Sequence, residues 1–410
     1  MRISQLYTYP IKSIRGTPLS SATVTRTGFL YDRRFMLLKV LDDGTLENMH
    51  IPVFPEMSLF YTDIIYPSED GTEPGHIVVT YRPAVGASID ENGKPSRILR
   101  LPLSPDTRGL DELTIVMHRS PTKGYNMGPQ YNGWFSEWFG FPVVLAYLGP
   151  HSRGVLGSFA PTKSAAHTEA IKKGKPGNRK GNSKGEGVLT VGTVSGIAGV
   201  TLLFNLLVGL GATGESTRLG MSSAAVAVAL LVVVLGGMAV YARVNSRREE
   251  EEHITFADTA PYLLVSATSV DNVSERLEGN LKMDVTKFRP NIVVAGANEA
   301  FEEDFWAEVV VGSDEERKTR LLLTANCIRC QSLNVDYATG AMAQGKTGNV
   351  LKKLMKDRRV DKGAKYSPVF GRYVFLDGDS EGQKVQVGDE VVVARRVEER
   401  MVYDWPGLTN

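Results

Sequence analysis

The sequence is short of cysteine, of net charge and of any secretion signal. Only two cysteines occur in 410 residues, which excludes a disulfide-stapled secreted scaffold and is typical of a reducing compartment. The 47 Lys and Arg residues nearly balance the 46 Asp and Glu residues, so no cationic field indicates nucleic-acid binding. The opening stretch MRISQLYTYPIKSIRG lacks the apolar core of a secretory signal. We therefore expect the globular parts to face the cytosol.

The middle of the chain, residues 151–253, differs in composition from both flanks. A basic, glycine-rich linker at 172–187 precedes two uncharged apolar runs, 188–212 and 219–242. Each run has about 24 residues, enough to cross a hydrocarbon core of roughly 30 Å as a helix. Lys and Arg residues flank both outer ends, which favours a cytosolic location for that side. The pattern predicts an inserted helical transmembrane hairpin; a buried insertion is the alternative.

The flanking segments, 1–150 and 254–410, consist mostly of short β-rich runs separated by turns. The runs at 34–41 and 76–82 predict strands, and YNGWFSEWFG at 131–140 predicts a helix with an aromatic core face. Towards the C-terminus the pattern predicts strands at 262–269, 291–297 and 307–313, a helix at 270–281, a short basic helix at 350–359, and a hairpin at 384–397 that turns on Gly388-Asp389. Short helices among many strands favour a mainly β, α+β fold over a doubly wound one.

The C-x-x-C motif formed by Cys327 and Cys330 leaves several chemistries open. A structural zinc site needs four ligands, and no second cysteine pair or closely spaced histidine pair supplies the other two. A thioredoxin-like pair would start a helix, whereas QSLNVD at 331–336 alternates like a strand. From spacing alone, two buried cysteines acting as small hydrophobes are the simplest interpretation. A single thiolate that binds a soft metal within an organic cofactor also fits.

Six sequence blocks narrow these alternatives. They are TYPIKSIRG (8–16), YDRRFML (31–37), KFRPNIVVAG (287–296), FEEDFWAEVVVG (301–312), ANCIRCQSLNVDYATG (325–340) and SPVFGRYVFLDGDSEGQKVQVGDEVVV (367–393). Together the blocks resemble the MOSC proteins, in particular the mitochondrial amidoxime reducing component and its bacterial relatives. The resemblance covers roughly 1–150 and 254–398 in order. It implies a MOSC-type β-barrel, an N-terminal β-rich MOSC-N domain, and a bound molybdenum cofactor, Mo-molybdopterin.

The resemblance also implies roles for individual residues. It makes Cys330 the catalytic residue and the molybdenum ligand, and gives Cys327 no ligand role. The other implied cofactor contacts are Lys12, Ser13, Arg33, Ser266, Arg289 and Asn291. A dianionic phosphate prefers Lys and Arg donors, and Arg adds bidentate geometry. From the residues alone, each cation would more simply be a surface charge.

The implied function is a molybdenum-dependent oxidoreductase that reduces N-hydroxylated compounds such as amidoximes and hydroxylamines. The glycine motif GLGATG at 209–214 lacks the acidic residue that a dinucleotide fingerprint requires about 20 positions on. Electrons are therefore expected from partner proteins, as in the family: a b-type cytochrome and its flavin reductase. Anchored through the hairpin, the protein is expected at the mitochondrial outer membrane or the endoplasmic reticulum.

Two other functions stay open on the sequence. The sulfurases that mature molybdenum enzymes also end in a MOSC domain, but they carry a pyridoxal-phosphate domain for which this chain has no room. A cofactor carrier and an inactive membrane scaffold remain possible. The segment NMHIPVFPEMSLF at 48–60, with His50 and Pro52, departs from the family pattern. That departure puts substrate preference in question, and not cofactor binding.

Overall fold

The computed structural model describes residues 1–68, 70, 72–87, 96–164, 167, 251–279, 281–312, 318–345 and 349–405. The chain divides into two compact units: Met1–Lys172 together with Glu252–Asn410, and Lys173–Glu251. The linker at 172–187 and the apolar runs at 188–212 and 219–242 lie outside the described residues. The domain boundaries near 150 and 254 stay predictions.

Short strands are the commonest regular elements of the described chain. The N-terminal part contributes β1 (Arg2–Thr8), β2 (Thr17–Leu19), β3 (Ser21–Thr25), β4 (Gly28–Phe29), β5 (Phe35–Val40), β6 (Leu46–Asn48), β7 (Phe60–Ile65), β8 (His76–Tyr81), β9 (Ile98–Pro102), β10 (Glu112–Met117), β11 (Ser120–Asn126), β12 (Val143–Tyr147) and β13 (Arg153–Gly154). The C-terminal part contributes β14 (His253–Ile254), β15 (Tyr262–Ser266), β16 (Ile292–Ala295), β17 (Trp306–Val311), β18 (Thr319–Ile328), β19 (Val335–Asp336), β20 (Ala341–Met342), β21 (Val369–Leu376), β22 (Lys384–Gln386) and β23 (Val391–Arg396).

The largest sheet joins the two ends of the chain. Its order is β2-β1-β16-β15-β21-β18-β17-β23, so the first strands of the protein lie beside strands of the C-terminal part. β1 pairs antiparallel with β16, with Leu6 opposite Ile292, and β15 pairs parallel with β16. This pairing brings the loop that follows β1 next to the loops around β15 and β16.

A second sheet has the order β10-β11-β12-β5-β6. Its strand β5 is apolar on both faces, because alternate side chains of a strand point to opposite sides. Phe35 and Leu37 pack into one hydrophobic cluster, whereas Met36 and Leu38 pack into another. The continuous apolar run in the sequence therefore corresponds to a strand buried on both sides, as in sheets covered on two faces.

Three α-helices occur in the described residues: α1 (Pro129–Phe139), α2 (Ala267–Glu275) and α3 (Val350–Met355). α1 confirms the helix predicted at 131–140; it starts at a proline and is followed by Gly140, whose φ of 78° is left-handed. α2 starts three residues earlier than predicted, directly after β15. α3 is shorter than the basic helix predicted at 350–359.

Two predictions from the sequence need correction. The fold is mainly β, but the expected transmembrane hairpin is not borne out: among the helices of the described residues, none is long and apolar enough to cross a membrane. The hairpin at 384–397 is also wrong, since β22 pairs with β3 and β23 pairs with β17. The chain does turn after β22, at Val387 and Gly388, one residue before the predicted Gly388-Asp389, and the turn sends the two strands into different sheets.

Candidate functional site

A cavity of about 460 Å³ lies where the loops of the large sheet meet the β10–β11 turn. It is called the cysteine cavity here because Cys327 and Cys330 both line it. Five of the seven residues predicted from the sequence line it as well: Lys12, Ser13, Arg33, Arg289 and Cys330. The remaining two, Ser266 and Asn291, are fully buried and are not among its lining residues.

The two cysteines have different environments. Cys330 is exposed, follows the end of β18, and precedes a 3-10 turn at Gln331–Asn334. Its Sγ lies 3.3 Å from Oγ of Ser332. Cys327 is buried, and its Sγ accepts a hydrogen bond of 2.9 Å from Nη1 of Arg329. The interpretation of two equivalent buried cysteines therefore fits Cys327 alone.

The backbone around the cavity is held in an unusual conformation. Ser13, Arg33, His118 and Arg289 all have φ between 50° and 67°, in the left-handed region that side chains with a Cβ rarely adopt. All four line the cysteine cavity. Left-handed residues of this kind cost of order 1 kcal/mol each and concentrate at functional sites. The strain turns side chains from four separate loops towards one space.

One wall of the cavity carries an ion pair between Lys12 and Asp258, residues 246 positions apart in the chain. Nε2 of His118 lies 3.2 Å from the same carboxylate. Burial lowers the pKa of Lys12, and Asp258 offsets part of that effect. Burial acts to raise the pKa of Asp258, but Lys12 and His118 outweigh it and hold the pKa well below its usual range. Lys12, Asp258 and His118 thus form one polar cluster in this wall.

Arg33 is held by a second, more deeply buried carboxylate. Its Nη1 pairs with Asp32 and donates to Oδ1 of Asn291 at 3.2 Å. Burial acts to lower the pKa of Arg33, but the Asp32 carboxylate raises it above its ordinary value. Asn291 also accepts from the backbone N–H of Leu263, which follows the first residue of β15. Asn291 thus positions Arg33 and β15 from behind the cavity wall.

Arg289 and Arg329 differ from Arg33 because each keeps a buried donor free. Nη1 of Arg289 donates to the carbonyl of Ile14 at 2.8 Å, while its Nη2 has no partner among the described residues. Nη2 of Arg329 donates to the carbonyl of Phe288 at 2.7 Å, while its Nε has none among them. Burial lowers the pKa of Arg289. Burial acts likewise on Arg329, but the thiols of Cys327 and Cys330 raise its pKa above the ordinary value.

Ser266 lies at the junction of β15 and α2. Its backbone is extended and its side chain does not cap α2, although serine often does so. The hydroxyl is buried and lacks a hydrogen-bond partner within the described part of the chain. The structure thus places Ser266 near the loops of the site without assigning it a contact.

Arg153 is a buried cation that sequence reasoning missed. It faces carbonyl oxygens: Nε donates to Thr255 at 3.2 Å, Nη1 to Met117 at 3.2 Å, and Nη2 to Ala257. Burial lowers its pKa to about 10. These bonds join the end of β10 to the segment before Asp258, so Arg153 fixes the positions of His118 and Asp258.

Sequence reasoning also missed Asp258, His118 and Arg329 as parts of the cavity. Arg329 stands beside Cys330 in the C-x-x-C motif, so its position in the sequence could have indicated it. Asp258 and His118 come from loops with no distinctive pattern, and only folding brings them together. Asn48, His50 and Pro52 line the cavity too, so the segment that departs from the family pattern reaches it.

Comparisons with known proteins agree with this architecture. Residues 1–142 match the MOSC N-terminal beta barrel domain, and residues 251–392 match the MOSC domain. Mitochondrial amidoxime-reducing component 1 of Homo sapiens is 33% identical over 142 residues, which are 34% of this chain and 39% of the relative. Mitochondrial amidoxime reducing component 2 of Homo sapiens is 33% identical over 144 residues, 35% of this chain and 40% of the relative.

Molybdenum cofactor sulfurase of Arabidopsis thaliana is 31% identical over 153 residues, 35% of this chain and 17% of the relative. The matches therefore span less than half the length of these curated relatives. The N-terminal domain precedes the MOSC domain, and the sequence blocks occur in the same order along the chain. With a MOSC N-terminal beta barrel domain followed by a MOSC domain, the chain belongs to the MOSC-domain proteins.

Proposed function

We propose that this chain holds a molybdenum cofactor in the cysteine cavity and reduces N-hydroxylated compounds such as amidoximes. The names of the curated relatives support a function related to the molybdenum cofactor. The observation that carries the proposal is the exposed thiol of Cys330 in a cavity that also presents Lys12, Arg33, Arg289 and Arg329.

The cavity suits an anionic cofactor with a soft metal. A buried donor without a partner costs about 1–3 kcal/mol, so the free N–H groups of Arg289 and Arg329 favour a bound acceptor. A volume of about 460 Å³ lies within the range of cofactor pockets. Thiolate is the protein ligand that soft transition metals prefer, and Cys330 is the accessible one. The residues present therefore fit the cofactor.

In this proposal each residue acts on binding or orientation. Cys330 binds the metal, while Arg289 and Arg329 bind the anionic part of the cofactor through N–H groups that are already held in place. Lys12 is held in place by its pairing with Asp258, and Ser13 and Arg33 also line the cavity. His50 and Asn48 lie where a substrate would enter. When bound, the cofactor supplies the two-electron chemistry.

The proposed reaction is R–C(NH2)=N–OH + 2 e⁻ + 2 H⁺ → R–C(NH2)=NH + H2O. The N–O bond breaks, the nitrogen is reduced, and the oxygen leaves as water. We assign the electrons to a b-type cytochrome that is itself reduced by a flavin reductase. The human relatives are named as mitochondrial proteins, so we propose a mitochondrial location, which cell fractionation checks.

Metal analysis and two matched cysteine variants test the proposal. The purified full chain should contain one molybdenum per chain and reduce benzamidoxime with reduced methyl viologen. Cys330→Ser should lose turnover, because an alkoxide is a poor substitute for a soft thiolate. Cys327→Ser should keep most of it, since Cys327 is buried and its Sγ already accepts a hydrogen bond from Arg329. Equal loss in both variants would contradict the single-ligand assignment.

The same measurements separate the alternatives. The match to a molybdenum cofactor sulfurase keeps a cofactor-handling role as the second candidate. A chain that carries molybdenum but never reduces benzamidoxime would support that role. A chain that binds no molybdenum in molybdenum-replete cells would contradict both and leave a structural protein.

A further inference from the structure

A second depression, of about 680 Å³, lies beside α3. We call it the α3 groove; its charged residues are Lys352, Lys356 and Arg359, and its polar wall includes Gln331 and Asn334. The residues that line it include no carboxylate. The groove therefore presents three positive charges around a concave polar surface.

The three cations of the α3 groove are available to a partner. Lys352, Lys356 and Arg359 are exposed, and none forms an ion pair or side-chain hydrogen bond with another described residue. Their neighbours behave differently. Lys353 reaches Glu278 at 3.6 Å, and Asp357 accepts 2.9 Å from Nη2 of Arg276. The local carboxylates are thus occupied away from the groove cations.

The groove and the cysteine cavity share one structural element. The shared element is Cys330 with the 3-10 turn that follows it, Gln331–Asn334. Cys330 and Ser332 line the cavity, whereas Gln331 and Asn334 line the groove. Oδ1 of Asn334 accepts from the backbone N–H of Leu351 in α3 at 3.1 Å. A molecule that binds in the groove therefore contacts the turn that directly follows Cys330, the proposed metal ligand.

The groove is also held rigidly. Leu351 and Leu354 of α3 pack into a hydrophobic cluster that includes Cys327. Just after α3, Nη2 of Arg358 binds both oxygens of Asp304, at 2.8 and 2.7 Å. A preformed surface loses less conformational entropy on binding than a mobile one.

We propose that the α3 groove is the docking site of an acidic redox protein that delivers electrons to the cysteine cavity. The inference rests on the proposed function, and goes beyond it by stating where the donor binds and with which charge. Each reduced haem gives one electron as its iron goes from ferrous to ferric, so two encounters supply one N–O cleavage. Charge complementarity fits an acidic partner, and the exposed amide of Gln331 offers a hydrogen bond to its carboxylates.

The test compares two ways of supplying electrons to the full chain. One is reduced methyl viologen, and the other is the soluble haem domain of a b-type cytochrome with its flavin reductase and NADH. In the variant Lys352→Glu/Lys356→Glu, we expect KM for the haem domain to rise roughly tenfold, as expected for loss of electrostatic steering. Molybdenum content and viologen-driven turnover should stay at the level of the unmodified chain.

A matched control reverses two exposed strand cations, Arg100→Glu/Lys384→Glu, which lie on β9 and β22. That control should leave KM for the haem domain unchanged. Increasing ionic strength should raise KM for the unmodified chain and the control, and have little effect on the groove variant, since salt screens exposed charges.

Binding is measured separately, by titrating the oxidised haem domain with each variant. This readout needs no turnover, so it decides the docking site even if viologen-driven activity is absent and the proposed function fails. Equal affinity of the groove variant and the unmodified chain would overturn the inference. Groove-dependent binding to phosphatidylserine vesicles, without groove-dependent binding to the haem domain, would also overturn it and mark a lipid site.

Discussion

Two groups of buried or partly buried arginines in this protein are built in opposite ways. In the Asp304 cluster, formed by Asp304, Arg358 and Arg400, the carboxylate accepts from both arginines: Arg358 reaches both oxygens, and Nε of Arg400 lies 2.8 Å from one of them. In the cysteine cavity, Arg289 and Arg329 face carbonyls and a thiol, and each retains a free N–H within the described structure. The first group pairs its arginines with a carboxylate, whereas no carboxylate in the described part of the chain forms an ion pair with the arginines of the second.

This difference teaches where to expect stability and where to expect binding. A buried ion pair with both partners present is costly to break, because the remaining charge stays desolvated. A buried cation without a counter-ion already has this desolvation penalty in the folded protein, so its removal adds none. We therefore expect changes in the Asp304 cluster to act on folding, and changes at Arg289 to act on cofactor retention.

The largest expected effect on stability comes from Arg358→Ala. It leaves Asp304 buried with Arg400 as its only arginine partner in the cluster, so the free energy of unfolding should fall by about 3 kcal/mol. Urea unfolding followed by circular dichroism measures the change. A matched surface variant, Arg108→Ala, removes an exposed pair and should cost far less. Equal costs would remove the distinction between buried and exposed pairs.

A smaller effect should arise at Glu303, the neighbour of Asp304. Its side chain is buried, one oxygen accepts from Oγ of Ser269 at 2.8 Å, and the other has no partner in the described part of the chain. Burial raises the pKa of Glu303 to about 7, although the bond from Ser269 opposes that shift. The folded protein therefore keeps a proton that the unfolded chain releases at lower pH.

The protonated Glu303 carboxyl contributes fully to the free energy of unfolding below the pKa that Glu303 has in the unfolded chain. The contribution is lost as pH rises through the pKa that Glu303 has in the folded protein, about 7. Between pH 5 and pH 8 the unmodified chain should lose roughly 2 kcal/mol at this position. Glu303→Gln keeps a hydrogen-bonding group and cannot ionise, so its unfolding free energy should change less over that interval. Parallel pH profiles of the two chains would refute the assignment.

The smallest effect on stability is expected from Arg289→Ala. Without the cofactor, Arg289 is a desolvated cation, so its removal should change the unfolding free energy of the metal-free chain by less than about 1 kcal/mol. Molybdenum content should nevertheless fall, while turnover per bound molybdenum stays constant. Full occupancy with reduced turnover per metal would assign Arg289 to the substrate instead. Arg289→Lys should retain part of the occupancy, since it keeps charge but not the planar fork.

Local patterns in the sequence were enough to predict many elements. The apolar run at 34–41 became β5, the aromatic face at 131–140 became α1, and the strands at 262–269, 291–297 and 307–313 became β15, β16 and β17. The strand predicted at 331–336 was wrong over Gln331–Asn334, which form a 3-10 turn. There, Oδ1 of Asn334 accepts from the backbone N–H of Leu351 in α3, a contact with an element further along the chain. Four-residue segments carry too little periodicity to predict such an outcome.

The sequence by itself determined the periodicity of the strands and the family blocks, because these depend on residues close together in the chain. The resemblance carried by those blocks implied the site candidates Lys12, Ser13, Arg33, Ser266, Arg289, Asn291 and Cys330. Only the tertiary structure decided that β1 joins β16, that Asp258 faces Lys12 and His118, and that one cysteine is buried while the other is exposed. Those features join residues up to hundreds of positions apart. Their free energy comes from pairing and burial in the whole fold, which no local window of sequence contains.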